Sequence, residues 1–388
     1  MKKSFPALML TLILACTACT SEKSDECLRI RGTAQATAQL YLYEILDETN
    51  LFVRQLDTIP VLDGGAIDYR NDSIKAGLYF VSPLGKSDIY EALERGKILF
   101  LSNGLNKLTW SEDDQATLAD SPVNDEYQAF IQKKNELADR SVLDSLDALF
   151  YAARDRNDTV EMARLNEVST PISEAGNARV NSWISGLLKE QRTDLFGSYL
   201  FYRYTYSRTA LVTTEDVEQM RQSLERFGPE AKAGSYYIKM QQGLDRAQKT
   251  VIGALAPDIS GETPDGDHLS LSDLRGRYVL VDFWSSSCSW CRKETPYLQK
   301  VYNRYKDKNF VVLGVSSDID REEWTNAIEA DGADWSHILL SEEDKNAVFK
   351  EYSIVGIPQI YLIDPDGKIA DRDLRGPAIL EAVAELIK

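Results

Sequence analysis

The sequence predicts a multidomain protein with three kinds of structure in order along the chain. A small β-sandwich-like domain comes first, a helical region follows, and an α/β domain ends the chain. Short alternating apolar runs occupy residues 28–115, a helical apolar period occupies residues 116–250, and strands alternate with helices in residues 251–388. The length of 388 residues is sufficient for two or three domains with cores of their own.

The composition is that of an ordinary globular protein with an acidic balance. Hydrophobic residues make up 43% of the sequence, charged residues make up 27%, and the formal net charge is −17. Proteins that bind nucleic acid normally present a basic surface, so this charge argues against a nucleic-acid partner. It also disfavours broad electrostatic attachment to anionic lipid.

The first 15 residues have the features of an export signal. Lys2 and Lys3 give a positively charged start, and the apolar run of residues 7–15 is too short to span a bilayer as a mature helix. The sequence therefore predicts a protein that leaves the cytoplasm.

Residues 12–16 resemble a bacterial lipobox, in which a small residue precedes a cysteine that becomes acylated. This resemblance implies lipidation at Cys16, with Cys19 as the alternative. The lipid would anchor the protein in the cell envelope, on a periplasmic or outer-membrane face. An ordinary cleaved signal peptide without lipid is the other interpretation. Residues 16–27 are mostly small and charged, and they are predicted to be a tether.

Residues 28–115 have the pattern of short β-strands. Apolar and polar residues alternate in residues 28–31 and 40–43, and turn residues occur at 63–65 and 102–104. This region is predicted to be the β-rich domain.

From residue 116 to residue 250 the apolar period becomes helical. One helix in this region is predicted to begin at residues 213–216, where two threonines precede two acidic residues. One predicted helix face consists of Val142, Leu146, Leu149, Phe150 and Ala153.

Residues 251–388 alternate between strand and helix patterns, which indicates an α/β sheet with a parallel portion. The predicted strands are residues 278–284, 310–315 and 359–363, and a hairpin follows the last of them. The predicted helices are residues 289–305, 322–330, 342–352 and 377–387.

Cys288 and Cys291 lie between the first of these strands and the helix that follows it. A cysteine at a helix N-terminus meets unpaired N–H groups and the positive end of the helix dipole, and both favour the thiolate. The second thiol lies one turn further on, so the pair can close a small disulfide. We therefore predict that Cys288 is the nucleophile and that Cys291 is the resolving thiol.

Other interpretations of the cysteines are weaker. A zinc site needs about four ligands, and beyond this pair the chain offers only cysteines near its N-terminus and the histidines His268 and His337. No metal and no cofactor are therefore predicted. A purely structural disulfide is the other alternative.

Cys27 is left over, and we interpret it as an incidental thiol near the tether.

Asp282 is a carboxylate inside an otherwise apolar predicted strand. Burial raises the pKa of a carboxyl group, which would allow Asp282 to exchange a proton with Cys291 near neutral pH. The competing interpretation is an aspartate that faces solvent at the end of the strand.

The order of these motifs resembles the thioredoxin fold, in which a strand, a Cys-x-x-Cys pair and a helix precede a Gly-Ile-Pro segment and a β-hairpin. Here that segment is residues 356–358. Residues 256–258 and 271–277 resemble the beginning of the exported thioredoxin-like proteins used in cytochrome maturation and periplasmic thiol reduction. This resemblance covers about residues 251–388. The upstream residues resemble an uncharacterised extension attached to such domains in Bacteroidetes lipoproteins.

The resemblance implies a thiol–disulfide oxidoreductase and assigns roles to several residues. Asp282 matches the buried aspartate of thioredoxin. Glu294 stands where a glutamate helps to tune the pair in related exported reductases. Pro358 matches a proline that is cis and faces the cysteines, beside backbone groups that bind an extended substrate. The expected substrate-binding residues are Trp284, Trp290, Ile357 and Pro358.

This chain departs from the family pattern close to the cysteine pair. Ser287 stands where a tryptophan commonly precedes the first cysteine, and Ser289 and Trp290 replace the usual dipeptide between the thiols. Because the residues between the thiols affect the reduction potential, the direction of the reaction stays open. Trp290 is bulky enough to form part of a substrate surface.

The sequence as a whole predicts a reductant of protein disulfides that acts outside the cytoplasm. Its partners would be protein thiol or disulfide substrates and an electron donor that the sequence does not identify. One alternative is a peroxiredoxin-type peroxidase, which shares the fold. Residues 285–287 are all serine, however, where a Pro and a Thr normally precede a peroxidatic cysteine. Another alternative is a binding lipoprotein in which residues 28–250 recruit a partner and the redox domain is secondary.

Overall fold

The computed structural model describes residues 27–48, 51–354 and 356–387. The predicted export signal, Cys16, Cys19 and nearly all of the predicted tether lie outside these residues. Among the helices that are described, none has both the length and the apolar character needed to cross a membrane. Contacts divide the chain into two units instead of the three predicted regions: residues 27–182 with Ala233–Ser235, and Trp183–Lys232 with residues 236–387.

The strands of the first unit are β1 (Leu28–Ala34), β2 (Gln39–Asp47), β3 (Phe52–Pro60), β4 (Ala66–Asn71), β5 (Gly77–Ser82), β6 (Lys97–Leu101), β7 (Gly104–Trp110) and β8 (Ala116–Ala119). They form two four-stranded sheets with the orders β4-β1-β7-β8 and β3-β2-β5-β6. Both sheets contribute to one apolar core, which contains Leu28 and Ile30 of the first sheet and Leu42 and Val81 of the second.

The β region ends later than the sequence predicts. β8 pairs antiparallel with β7, so the first sheet extends to Ala119 and the predicted boundary at residue 115 is too early. Leu118 of β8 is buried and Ala116 is partly buried, but four residues are too few for this alternation to reveal a strand. Its register is fixed by the hairpin turn, in which the Ser111 N–H donates to the Gln115 carbonyl at 2.9 Å.

The helices before the C-terminal domain are α1 (Ile89–Arg95), α2 (Pro122–Leu137), α3 (Arg140–Asp155), α4 (Thr159–Lys189), α5 (Leu195–Tyr204), α6 (Thr214–Glu225), α7 (Pro229–Lys232) and α8 (Ser235–Ala247). The predicted middle region does not form a unit of its own, because the division between the two units falls within α4. The apolar face predicted for α3 is buried only in part. Ala153 is buried, whereas Val142 and Leu149 are about half exposed (47% and 54%).

α6 begins where the sequence predicts. The Thr213 side chain accepts a hydrogen bond from the Asp216 N–H (3.1 Å), and the Asp216 carboxylate accepts one from the Thr213 N–H (2.8 Å). These two bonds satisfy backbone donors that a helix start leaves unpaired. The segment after α8 joins the C-terminal domain, where Arg372 donates to the Thr250 carbonyl at 2.8 Å.

The remaining elements are β9 (Ser260–Glu262), β10 (His268–Ser270), β11 (Tyr278–Trp284), α9 (Ser289–Tyr305), β12 (Phe310–Ser316), α10 (Arg321–Asp331), β13 (Ser336–Leu339), α11 (Glu342–Glu351), β14 (Gln359–Ile363), β15 (Ile369–Arg372) and α12 (Pro377–Leu386). The strands form one sheet with the order β10-β9-β13-β12-β11-β14-β15. The limits of β11 and α9 agree with the prediction. β13 has no counterpart among the predicted strands, because four residues are too few to show a period.

β11 is a central strand of this sheet, parallel to β12 and antiparallel to β14. Alternate residues of a strand face opposite sides, and both sides are covered here. Val281 and Phe283 belong to one apolar cluster, and Leu280 belongs to another that includes residues of α9 and α12. Burial on both sides explains why β11 is apolar throughout except at Asp282.

Candidate active site

The cysteine pair lies at the beginning of α9. Cys288 is the N-cap residue, its Sγ accepts a hydrogen bond from the Cys291 N–H at 3.1 Å, and the two sulfurs form a disulfide. Cys288 is partly exposed, whereas Cys291 is buried. A substrate can therefore approach Cys288 more easily than Cys291. In the reduced pair, the N–H groups of the first turn would favour a thiolate at Cys288.

The loop before the pair is held by an aspartate from the neighbouring loop. The Asp318 carboxylate accepts hydrogen bonds from the Ser286 N–H (2.9 Å), the Ser286 hydroxyl (2.8 Å) and the Ser316 hydroxyl (2.7 Å). β11 and β12 are parallel, so the loops after them begin at the same edge of the sheet. Sequence reasoning missed Asp318, although a Ser-Ser-Asp run directly after a buried strand was a visible signal.

Asp282 lies within β11, and its side chain is only 5% exposed. Burial raises the pKa of Asp282 to about 7; the Arg375 guanidinium opposes this rise, and the Glu294 carboxylate adds to it. Burial disfavours the charged form of a carboxyl group. The alternative of a solvent-facing aspartate is therefore wrong, and the group can gain or lose a proton near neutral pH.

Glu294 connects the active-site helix to the start of α12. Its Oε2 accepts a hydrogen bond from the Gly376 N–H at 2.6 Å. The preceding residue, Arg375, donates one hydrogen bond to the Pro358 carbonyl and another to the Leu374 carbonyl at 2.7 Å. The segment before α12 therefore contacts both the helix and the proline loop. Sequence reasoning missed Arg375, because nothing near it in the sequence indicates these contacts.

The proline loop lies beside the disulfide. The peptide bond between Ile357 and Pro358 is cis, as the resemblance implies. The Ile357 carbonyl oxygen is 3.8 Å from the Cys288 Sγ. The backbone on the N-terminal side of Pro358 is therefore close enough to contact a substrate that is bonded to Cys288.

The two tryptophans expected to bind substrate lie in different environments. Trp284 is only 6% exposed and packs in a cluster with Cys291 and Trp324, so it offers almost no surface to a substrate. Trp290 is 68% exposed, and the Lys293 ammonium lies 3.9 Å from the centre of its ring. The structure brings Trp290 to the surface beside the pair and places Trp284 beneath it. In the described part of the chain, no three His, Cys, Asp or Glu side chains are grouped to hold a metal ion.

Comparison with known proteins matches the C-terminal part of this chain. A family model described as the AhpC/TSA family matches residues 252–372. The thiol-disulfide oxidoreductase ResA of Bacillus cereus is 27% identical over 158 residues, which are 40% of this chain and 88% of that protein. The thioredoxin-like protein YneN of Bacillus subtilis is 32% identical over 135 residues, which are 35% of this chain and 75% of that protein.

Among solved structures, the thioredoxin domain of a thiol-disulfide oxidoreductase from Bacteroides vulgatus is 48% identical. The match covers 36% of this chain and 99% of that domain, with a TM-score of 0.35.

Proposed function

This chain belongs to the thioredoxin-like thiol–disulfide oxidoreductases, and we propose that it reduces protein disulfides outside the cytoplasm through Cys288 and Cys291. The observation that best supports this function is the disulfide at the start of α9, next to the Ile357 carbonyl. The location rests on the predicted export signal and on the predicted lipidation at Cys16, with Cys19 as the alternative. Membrane fractionation of the bacterium that produces the protein would test it.

The proposed reaction begins with the reduced pair. The Cys288 thiolate attacks one sulfur of a substrate disulfide, the substrate S–S bond breaks, and the departing sulfur takes up a proton. Cys291 then gives its proton to the Asp282 carboxylate and attacks the Cys288 sulfur. The Cys288–Cys291 disulfide forms as the bond between Cys288 and the substrate sulfur breaks, and that sulfur leaves and takes up a proton. Asp282 releases the proton that it accepted, to this sulfur or to solvent. A dithiol donor must return two electrons and two protons before the next cycle.

Reduction of insulin disulfides tests this function. We expect the wild-type protein with a dithiol donor to reduce insulin faster than Cys288→Ala does, because the thiolate is the attacking group. Both proteins must first be shown to fold by circular dichroism. If the two rates are equal, the reductase proposal is wrong.

The reduction potential of the Cys288–Cys291 pair is a separate test of whether the protein reduces or oxidises its substrates. A value of about −270 mV is typical of a reductant, and a value of about −120 mV is typical of an oxidant.

A peroxidase is a second candidate because the matched family model is that of the AhpC/TSA family. A peroxidatic mechanism needs Cys288 to be oxidised by peroxide, which does not require Cys291 in the first step. Peroxide consumption that depends on Cys288 and not on Cys291 would favour this candidate over the reductase.

We propose that Trp290 forms part of the substrate surface, together with Ile357 and Pro358. Trp290→Ala is expected to lower kcat/KM for insulin by about 5- to 10-fold, since truncating an aromatic anchor typically costs more than about 1 kcal/mol. The rate with a small disulfide such as oxidised glutathione should change little. Tyr90→Ala is a matched control, since Tyr90 is another exposed aromatic residue (85%) and lies in the first unit. Equal losses on both substrates would contradict a role in protein binding.

A further inference from the structure

Three residues form a row across the sheet at the level of Asp282. The parallel register pairs Asp282 of β11 with Gly314 of β12, and it pairs Gly314 with His337 of β13. Residues paired across neighbouring strands face the same side of a sheet. Because Gly314 has no side chain, no side chain of β12 lies between Asp282 and His337 in this row.

The His337 ring lies directly over Gly314. A methyl group at position 314 would be 2.3 Å from His337 Nδ1 and 3.1 Å from Trp284 Nε1. His337 is only 4% exposed, and the rings of Trp284 and Trp335 lie 5.7 and 5.6 Å from its own. These neighbours fix the orientation of the imidazole, so its Nδ1 is directed toward the gap at Gly314.

The hydrogen bonds of His337 decide which nitrogen carries the proton. Nε2 lies 3.0 Å from the Ala333 carbonyl oxygen, which can only accept. Burial lowers the pKa of His337 to about 4, although the bond to Ala333 opposes this effect, so the ring is neutral near pH 7. In a neutral imidazole one nitrogen donates and the other accepts. Nε2 is therefore the donor, and Nδ1 is an acceptor.

Three buried polar atoms of these side chains lack a hydrogen-bond partner among the described residues: Asp282 Oδ1, Trp284 Nε1 and His337 Nδ1. Such atoms are costly to bury unpaired. They are chemically complementary, because a protonated Asp282 and the indole N–H are donors and Nδ1 is an acceptor. Neighbouring strands are about 4.8 Å apart, and Nδ1 lies over Gly314 of β12, the strand next to that of Asp282. One water can bridge two groups that lie too far apart for a direct hydrogen bond.

We propose that His337 is a positioning residue that holds the proton of Asp282 across Gly314, through one water that accepts a hydrogen bond from the neutral acid and donates one to His337 Nδ1. A hydrogen bond to the neutral form of an acid favours that form. His337 thereby helps to raise the pKa of Asp282 toward neutral pH, where the Asp282 carboxylate can accept the proton of Cys291 and hold it. The charges that act on Asp282 from the elements packed around it are Arg375 and Glu294. This inference rests on the proposed role of Asp282 in the reductase.

The test uses nuclear magnetic resonance on the full-length oxidised protein. Carboxyl 13C signals of labelled aspartate would follow the titration of Asp282, which is identified by the signal missing in Asp282→Asn. The sequence contains two histidines, so 15N-labelled imidazoles give two sets of signals. The set missing in His268→Gln belongs to His268, which lies exposed on β10.

Two substitutions at position 337 test the hydrogen bonds of the two ring nitrogens separately. His337→Gln retains a donor near the Ala333 carbonyl and removes the acceptor over Gly314, whereas His337→Asn retains an acceptor near the Nδ1 position. We expect His337→Gln to lower the apparent pKa of Asp282 by about one pH unit, and His337→Asn to lower it by less. His268→Gln should leave the Asp282 titration unchanged. In the wild-type protein, Nδ1 should stay unprotonated from pH 5 to pH 8.

The inference is wrong if Nδ1 of His337 carries the proton in this range, or if His337→Gln shifts the Asp282 titration no more than His268→Gln does. A protonated Nδ1 in the wild-type protein would overturn the inference even if a variant fails to fold. Failure of the reductase proposal would look different, because wild type would then reduce insulin no faster than Cys288→Ala. A normal insulin rate with an unshifted titration would contradict this inference alone.

Discussion

Replacing Cys291 with serine is expected to trap the protein as a covalent mixed disulfide with its substrate through Cys288. The serine hydroxyl cannot attack the Cys288 sulfur to form a disulfide, so the first step proceeds and the second stops. Because Cys288 is partly exposed, an added thiol could release the substrate, so trapping is measured without one. Turnover of insulin should fall by at least about 100-fold while the adduct accumulates.

Intact-mass spectrometry under non-reducing conditions would measure the adduct. The matched control is Cys288→Ser, which retains the buried Cys291 and should form no adduct. Cys16 and Cys19 would be serine in every variant, so that thiols outside the described residues do not contribute. Equal trapping by both variants would mean that Cys288 is not the nucleophile. Absence of trapping in Cys291→Ser would contradict a mixed-disulfide mechanism.

Asp282→Asn is expected to make the oxidised protein more stable at alkaline pH and the enzyme slower. The pKa of Asp282 is about 7 in the folded protein, against about 3.9 for an unfolded aspartate. Between these values the folded protein holds a proton that the unfolded chain has released. The stability from this proton is complete below about pH 4 and is lost as the pH rises through about 7.

Asparagine does not ionise, so the variant avoids the cost of a buried charge. Its free energy of unfolding should exceed that of wild type above pH 7 by up to about 4 kcal/mol. The difference should shrink toward zero near pH 4. Guanidinium denaturation at several pH values measures it, and Asp307→Asn at an exposed position is the control. A variant less stable than wild type at pH 8 would contradict the burial of an uncompensated charge.

The same substitution removes the proposed proton acceptor for Cys291. The step that closes the Cys288–Cys291 disulfide should slow by about 100-fold at pH 7, the lower end of the usual contribution of a general base. The loss should become smaller at higher pH, where Cys291 ionises without help. Rapid-quench measurement of the mixed disulfide follows this step. An unchanged rate at pH 7 would show that another group accepts the proton.

Local sequence patterns were sufficient for the strand, the cysteine pair and the helix that follows it. β11 and α9 have the predicted limits because an apolar run buried on both faces and an amphipathic helix each show a clear pattern within a few residues. The position of Asp282 inside that run also indicated a buried carboxylate. The cis bond before Pro358 followed from a resemblance in motif order.

Contacts between distant segments could not be predicted in this way. Asp318 binds Ser286 because β11 and β12 are parallel neighbours, and His337 lies over Gly314 because of the register of β13. The burial of Trp284 is likewise a consequence of packing, since an exposed and a buried tryptophan look the same in a sequence. Such facts depend on the order and register of strands, which no single strand encodes.

The cysteine pair and the helix that begins beside it could be predicted from the sequence, because a Cys-x-x-Cys motif between an apolar run and a helical period is a local pattern. The surroundings of that pair, by contrast, depend on contacts between segments that are far apart in the sequence. Glu294 accepts a hydrogen bond from Gly376, which lies 82 residues away in the sequence. Arg375 donates one to Pro358, which lies 17 residues away. The physical reason is that a pKa depends on burial and on charges nearby in space, and both arise only when the sheet and its helices have assembled.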